Sequence, residues 1–276
     1  MAVGDLIYRD GQYEFQGILF NNGPWSKPAR YARSVLNLWG RGNKSNDHER
    51  DSDHGAFLGD DYVSSKLIEV HLDIDCANAA QANVEILALS QAWQPMTAEI
   101  PFVFQKAGLP GKKVIYVRPR DLDIPSDYEV GRGFVKVSGR LFAADPRIYS
   151  LTQKVVAGQI NAGSTNNGIV ATNDGLFNGG SYPIVEIDGP TVNPRVAFSQ
   201  DGNATLRLDG SLSAGSTLII DTLYRTVTIA GADEYDWVRT DNQWPKLWPG
   251  VNNITYSRTG TTGNSPWRVK FQDAWV

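Results

Sequence analysis

At 276 residues the chain is too long for one small domain, so two domains or one large β fold are the alternatives. A hydrophobic content of 41% supports ordinary cores, and a net charge of −4 argues against a nucleic-acid binder, which normally carries a basic patch. Cys76 is the lone cysteine, which excludes an intramolecular disulfide and a thiolate metal cluster; a small apolar residue near a helix start is the simplest reading of it.

The first ten residues, MAVGDLIYRD, carry Asp5 and have neither a basic nor an apolar leader region, so no signal peptide is expected. The stretch DLIYRDGQYEFQGILF alternates well enough for a hairpin, with Asp10-Gly11 as its turn signal. Arg33, Val35, Asn37 and Trp39 then lead into a polar stretch over 40–61, and Leu67, Ile68 and Val70 lead out of it. This reads as two strands joined by a long excursion, a loop length that is usually functional or ordered by a partner. Ala79, Ala82, Ile86, Leu89 and Trp93 recur at steps of three and four, which predicts a helix with one apolar face. Asp75 or Asn78 caps its start, and Gln94 before Pro95 marks its end. Its apolar run, 84–89, is too short to span a membrane. Strands are predicted over 100–104, 113–118 and 133–142, with Gly108 and Gly111 as turn residues.

Ala144-Asp145-Pro146-Arg147 breaks the pattern, and a domain boundary is placed near Ser150, giving domains 1–150 and 151–276. Beyond it the chain reads as all β. Val185 and Ile187, Leu206 and Leu208, Leu218 and Ile220, and Val227 and Ile229 each alternate with polar residues. Asp201-Gly202, Asp209-Gly210, Ala214-Gly215 and Gly231 punctuate them, which is the spacing of a sandwich or barrel. The Gly-, Asn- and Ser-rich segment 161–180 reads as an exposed loop or an irregular strand pair. In the last strand Trp267, Val269 and Phe271 face one way and Arg268, Lys270 and Gln272 the other, so the chain end should be pinned into a sandwich.

Candidate chemistry is sparse. Asp47, His48, Glu49, Asp51, Asp53 and His54 form the densest titratable cluster; a metal site and a solvated hairpin tip both fit, but the spacing is not that of a calcium loop. His71 lies between Val70 and Leu72 and reads as a structural histidine. No G-x-S-x-G occurs, Gly40-Arg41-Gly42-Asn43-Lys44-Ser45 lacks the phosphate-loop spacing, and Gly131-Arg132-Gly133 lacks the third glycine of a dinucleotide fingerprint. Asp233, Glu234 and Asp236 offer paired carboxylates for glycoside hydrolysis, but a solvated turn explains them better. Trp237, Trp244 and Trp248 invite a carbohydrate-binding reading, with contact to cell-wall glycan; plugging the end of a sandwich is the simpler one. Asn43, Asn203 and Asn253 head sequons that read as chance matches. No catalytic set, metal site or cofactor is expected, and no enzyme.

Several ordered motifs nevertheless carry a resemblance. They are Asp53-His54-Gly55 with Gly59, the run Ser138 to Tyr149 (SGRLFAADPRIY), Pro183 to Pro190 (PIVEIDGP) with Asn193-Pro194, Asp221-Thr222 with Arg225-Thr226-Val227, and Trp248 to Ile254 (WPGVNNI). Together they are similar to the siphovirus distal tail protein, a phage minor tail protein, most of all those of actinobacterial phages. The resemblance implies a mainly β protein with one helix: an N-terminal β-sandwich or belt domain and a C-terminal galectin-like β-sandwich. It implies a homo-hexameric ring that joins the tail tube protein to the tail-associated hub or baseplate proteins, can carry receptor-binding proteins, and lets DNA through its lumen without specific binding. It implies a place in the virion at the tail tip, assembled in the host cytoplasm, without membrane insertion. Arg41, Asp53, His54, Gly55 and Gly59 then become candidate ring-interface residues, and Asp145, Pro146 and Arg147 the domain junction.

Overall fold

The computed structural model describes residues 2–40, 42–49, 54, 56, 57, 59–260 and 263–276. The chain is mostly antiparallel β and divides into two compact units, Met1–Leu151 and Thr152–Trp275.

In the first unit, seven strands among the described residues follow one hydrogen-bonded order. They are Ile18–Phe20, Tyr13–Phe15, Ile100–Phe104, Lys113–Asp123, Phe134–Ala143, Lys66–Asp75 and Ala29–Leu36. The strand predicted over 113–118 runs on to Asp123 because it changes partner. Residues Lys113 to Val117 pair with Ile100–Phe104, and Arg118 to Asp123 pair with Phe134–Ala143. The register shifts between Pro119 and Leu122, where proline has no N–H to give to a ladder. Ile68, Val70, Leu72 and Ile74 alternate into the core, beside Phe15, Phe20, Phe102 and Phe104.

The opening hairpin is real but its turn is not at Asp10-Gly11. Tyr13–Phe15 pairs with Ile18–Phe20 around Gln16-Gly17, which hold φ of 52° and 74°. Two positive φ values in a two-residue loop match the right-handed strand twist. The preceding residues cannot form the first strand because side chains bind their backbone. The Glu14 carboxylate accepts the Gly4 and Leu6 N–H groups at 3.0 Å each, and Gln12 Oε1 accepts those of Tyr8 and Arg9.

The helix is Ala79–Ala92. Asn78 Oδ1 accepts the Gln81 N–H at 2.9 Å while Gln81 Oε1 accepts the Ala77 N–H at 2.7 Å, a reciprocal cap. Ala82, Leu89 and Ala92 are buried, and so is Glu85, which the apolar periodicity did not include. Trp93 follows as the C-cap, its ring 4.7 Å from that of Phe15. The sheet makes room for it at Gly139, where a Cβ would lie 2.8 Å from the indole. Cys76 is buried; burial, then the Glu85 and Asp75 carboxylates, push its thiol up, so the group stays protonated and inert. No described helix is long and apolar enough to cross a membrane.

The second unit is two antiparallel sheets around one core. One runs Lys154–Ile160, Ser265–Phe271, Ile184–Asp188, Thr217–Asp221, Thr226–Ile229 and Ala232–Asp233. The other runs Asn166–Asn173, Gly250–Thr259, Thr191–Phe198 and Ala204–Arg207. Their facing residues include Val185, Ile187, Leu206, Leu218, Ile220, Val227, Trp267, Val269 and Phe271. The segment 161–180 is more regular than its composition suggests. Asn166–Asn173 pairs without a break from Asn166 opposite Ser257 to Asn173 opposite Gly250, and Ala171 is fully buried while Val170 is exposed. Alternation survives there beneath the polar residues.

Candidate functional site

The excursion at 40–61 continues the strand pair that it joins. Ala29–Leu36 pairs with Lys66–Asp75, and beyond them Asn43–Lys44 pairs with Tyr62–Val63 and His48–Glu49 with Ala56–Phe57. The Asp47 carboxylate accepts the Gly59 N–H at 2.8 Å. The Ser45 hydroxyl and that Gly59 N–H hold Asp47 below the usual carboxylate range. A Cβ at Gly59 would lie 2.4 Å from the Asn46 carbonyl oxygen, so the two sides of the excursion approach there as only glycine allows. Arg41, Asp53 and Gly55 lie outside the described residues, as does Asp51 of the titratable cluster; His54 is described and exposed. Among the described residues no three His, Cys, Asp or Glu side chains converge as a metal site would need.

Asp145 organises the exit from the first sheet. Its Oδ1 accepts the Arg147 N–H at 3.1 Å and the guanidinium at 2.9 Å, and its Oδ2 accepts the Tyr149 hydroxyl at 2.5 Å. Pro146 sits inside this clamp and is itself buried, just before the strand Ile148–Ser150.

The motifs of the second unit are turn and clamp residues of the same kind. Asp221 Oδ1 accepts the Leu223 and Tyr224 N–H groups at 2.9 and 3.0 Å, and Arg225 closes that hairpin at φ 57°. The Thr222 hydroxyl, buried, donates to the Pro183 carbonyl at 2.8 Å. Asn252, also buried, accepts the Trp248 N–H at 2.9 Å and donates to the Trp248 carbonyl at 2.8 Å. Paired alternation shows where strands lie; these side chains show why Asp-Thr follows one strand and why Asn252 stands near the start of another.

The three tryptophans singled out above are committed to the sandwich. Trp237 and Trp244 pack against its core, and Trp237 lies over Gly210, where a Cβ would come within 2.2 Å of the ring. Trp248 is half-buried and its indole N–H donates to Asp201 at 2.6 Å. Tyr235 stacks on Trp244 with centroids 6.5 Å apart and is the more exposed of the two rings. Asp233 accepts the Tyr235 N–H as a turn residue, and Asp233 and Asp236 are exposed.

Two features escaped the sequence reading. Arg30 and Glu85 form an ion pair across the first unit, and Trp25, in the loop before Ala29–Leu36, is 97% exposed. The latter had a local signal: an indole set between Pro24 and Ser26, outside any alternating stretch.

Comparison with known proteins defines the class. Residues 180–275 match the family of the siphovirus-type tail component, C-terminal domain. No curated protein matches the chain by sequence. By fold the chain is similar to the Dit (gp 19.1) protein of phage SPP1, described as a paradigm of the hub adsorption apparatus in phages infecting Gram-positive bacteria. The likeness has a TM-score of 0.68 at 14% identity and covers 96% of this chain and 99% of that one. It is similar too to chains of the phage p2 baseplate in its activated conformation, with Ca and with Sr, each with a TM-score of 0.52 at 10% identity over 94% of this chain and 97% of that one. The chain thus has the fold of baseplate-hub proteins. More particularly, the chain has the distal-tail-protein fold almost end to end, and its residues 180–275 carry the siphovirus-type tail-component domain in sequence as well.

Proposed function

We propose that the protein is a structural component of a siphophage tail tip, in which six copies close a ring that joins the tail tube protein to the tail-associated hub or baseplate proteins. The observation that carries this reading is the fold shared with a hub protein over 96% of this chain and 99% of that one. A shared fold alone does not transfer function, and here the family match of residues 180–275 adds a sequence argument.

A ring of identical copies needs a heterologous interface whose rotation closes. The excursion suits that role: a paired arm, extended past its own sheet, that reaches a neighbour through Arg41, Asp53, His54, Gly55 and Gly59. Asp145, Pro146 and Arg147 hold the exit toward the second domain, 151–276, which is left to meet further partners such as receptor-binding proteins. DNA passes through the lumen without being gripped, in keeping with a net charge of −4. The protein acts without a cofactor or catalysis, is assembled in the host cytoplasm and resides in the virion.

Negative-stain imaging of the purified protein, alone and mixed with tail tube protein, tests the reading. A sixfold annulus with a central hole is expected. Monomers under both conditions would overturn it, and specific retention on cell-wall glycan without ring formation would favour a carbohydrate-binding module instead.

A further inference from the structure

We infer that Trp25 of one copy seats in a cleft on the N-terminal unit of the next, so that the ring proposed above, on which this inference rests, is closed by an indole knob and a complementary hole.

The knob is unusual in being presented from a braced loop. Trp25 is 97% exposed. Around it, Asn22 Nδ2 donates to the Pro28 carbonyl at 2.7 Å, Asn22 Oδ1 accepts the Arg30 N–H at 2.8 Å, and Arg9 Nη2 donates to the Asn21 carbonyl at 2.9 Å. The loop is therefore held before any partner arrives, and little ordering entropy is lost when the indole docks. Tryptophan is among the side chains enriched as interface anchors.

The hole is an open cleft of about 450 Å³ on the outer face of the strands Ala29–Leu36, Lys66–Asp75 and Phe134–Ala143. That is within the roughly 300–1,000 Å³ of sites that take up a small ring system. Leu36 and Pro125 supply exposed apolar surface, Arg33, Asp73, Asp123 and Lys136 supply charge, and Leu72 and Val137, buried in the sheet, form its floor. Among the described residues, the side chains of Arg33 and Asp123 have no hydrogen bond or ion pair within the chain, although both line the same cleft. An indole matches this set: its N–H is a donor for a free carboxylate, its face a platform for a guanidinium, and its benzo ring apolar.

Placement selects a second copy as the occupant. Trp25 precedes the N-terminal end of the edge strand Ala29–Leu36, and the cleft takes up its C-terminal half, from Arg33 to Leu36. The strand is eight residues long, which sets its ends about 25 Å apart. Trp25, in the loop before the strand, and a cleft beside the strand's second half are different patches of one surface, so a contact between them in two copies is head-to-tail, the heterologous type that rings require. One indole is too small to be a whole interface, so it anchors a larger contact.

The test uses Trp25→Ala and Leu36→Glu, both at exposed side chains, with association measured by mass photometry in the presence of tail tube protein and folding checked by thermal melting. Each variant alone should self-associate about ten-fold or more weakly than the parent while melting like it. Mixed, the two should recover a two-chain species and nothing larger, because one keeps only the hole and the other only the knob. Rings that form normally from Trp25→Ala would overturn this inference and leave the hub reading standing. A parent chain that stays monomeric would overturn both. Weakened variants whose mixture yields no two-chain species would overturn the pairing of this knob with this hole.

Discussion

Arg30 grips Glu85 with both arms of its guanidinium, Nε to Oε2 at 2.8 Å and Nη2 to Oε1 at 2.9 Å. The carboxylate lies on the buried side of the helix Ala79–Ala92 and the guanidinium on the edge strand Ala29–Leu36, 55 positions away in the chain. Bidentate pairing fixes the helix in angle as well as position. Glu85 is 6% exposed, so neither partner can be removed without leaving a poorly solvated charge. Glu85→Ala is expected to destabilise the protein by about 3 kcal/mol in urea unfolding, whereas Arg30→Met with Glu85→Leu together should lie within about 1 kcal/mol of the parent. Equal losses in the two variants would show that the pair contributes packing only.

Gly139 is a second constraint on the helix end. Adding a methyl group there places it 2.8 Å from the Trp93 indole, which is itself 3% exposed and wedged against Phe15. Gly139→Ala should cost about 1–3 kcal/mol by overpacking. Gly131→Ala, where nothing lies within 4 Å, should stay within about 0.5 kcal/mol. Thermal melts of the two variants make the comparison.

The outer face of one sheet in the second unit carries Glu186 between Arg268 and Lys270; it takes hydrogen bonds from both, the one from Lys270 at 2.5 Å. Burial would raise the Glu186 carboxyl, but these bonds outweigh it and hold the group below its ordinary 4.5. A carboxyl depressed by folding contributes stability above its unfolded pKa and loses it as pH falls through the folded one. The advantage of the parent over Glu186→Gln should therefore be full at pH 7 and shrink as pH falls below 4.5. A gap in melting temperature that is the same at pH 7 and at about pH 3 would contradict this.

Tyr256 is fully buried in the second core, where its hydroxyl donates to Thr191 Oγ1 at 2.7 Å and meets Ser265 Oγ at 2.9 Å. Ser265 also donates to the Asp188 carbonyl at 2.8 Å, so it keeps a partner when the phenol is lost, and Thr191 loses one. Tyr256→Phe should cost about 1–2 kcal/mol, read from the midpoint of chemical unfolding.

Gly59 tests the arm apart from the core. Its missing Cβ allows the approach to Asn46, and it lies outside both cores. Gly59→Ala should leave the melting temperature within about 2 °C of the parent and, on the assembly proposed above, reduce ring formation. Normal rings from this variant would remove the arm from the interface.

Much of the fold was legible because alternation and helical spacing are local. Trp267, Val269 and Phe271 all face the core as their period of two requires, and Asn78 caps the helix from the position directly before it. Legibility failed where a side chain reaches across the chain. Glu14 and Gln12 capture the backbone of residues 4–9, so Asp10-Gly11 cannot be the hairpin turn. Glu85 looks like a polar interruption of an apolar face until Arg30 is set beside it. The Gly- and Asn-rich run at 161–180 reads as irregular until Gly250–Thr259 is laid against it. Of the candidate site, the excursion was evident from its length, but its paired ladders and the need for Gly59 were not.

The mainly β character, the inward turn of Trp267, Val269 and Phe271, and the presence of one helix ending before Pro95 follow from the stereochemistry of neighbouring residues. Strand neighbours, the Arg30–Glu85 pair, the exposure of Trp25 and the cleft beside Arg33 to Leu36 emerge only in the folded chain. Those relationships join positions tens of residues apart, and the free energy that selects them comes from burial and pairing in three dimensions, which no local period records.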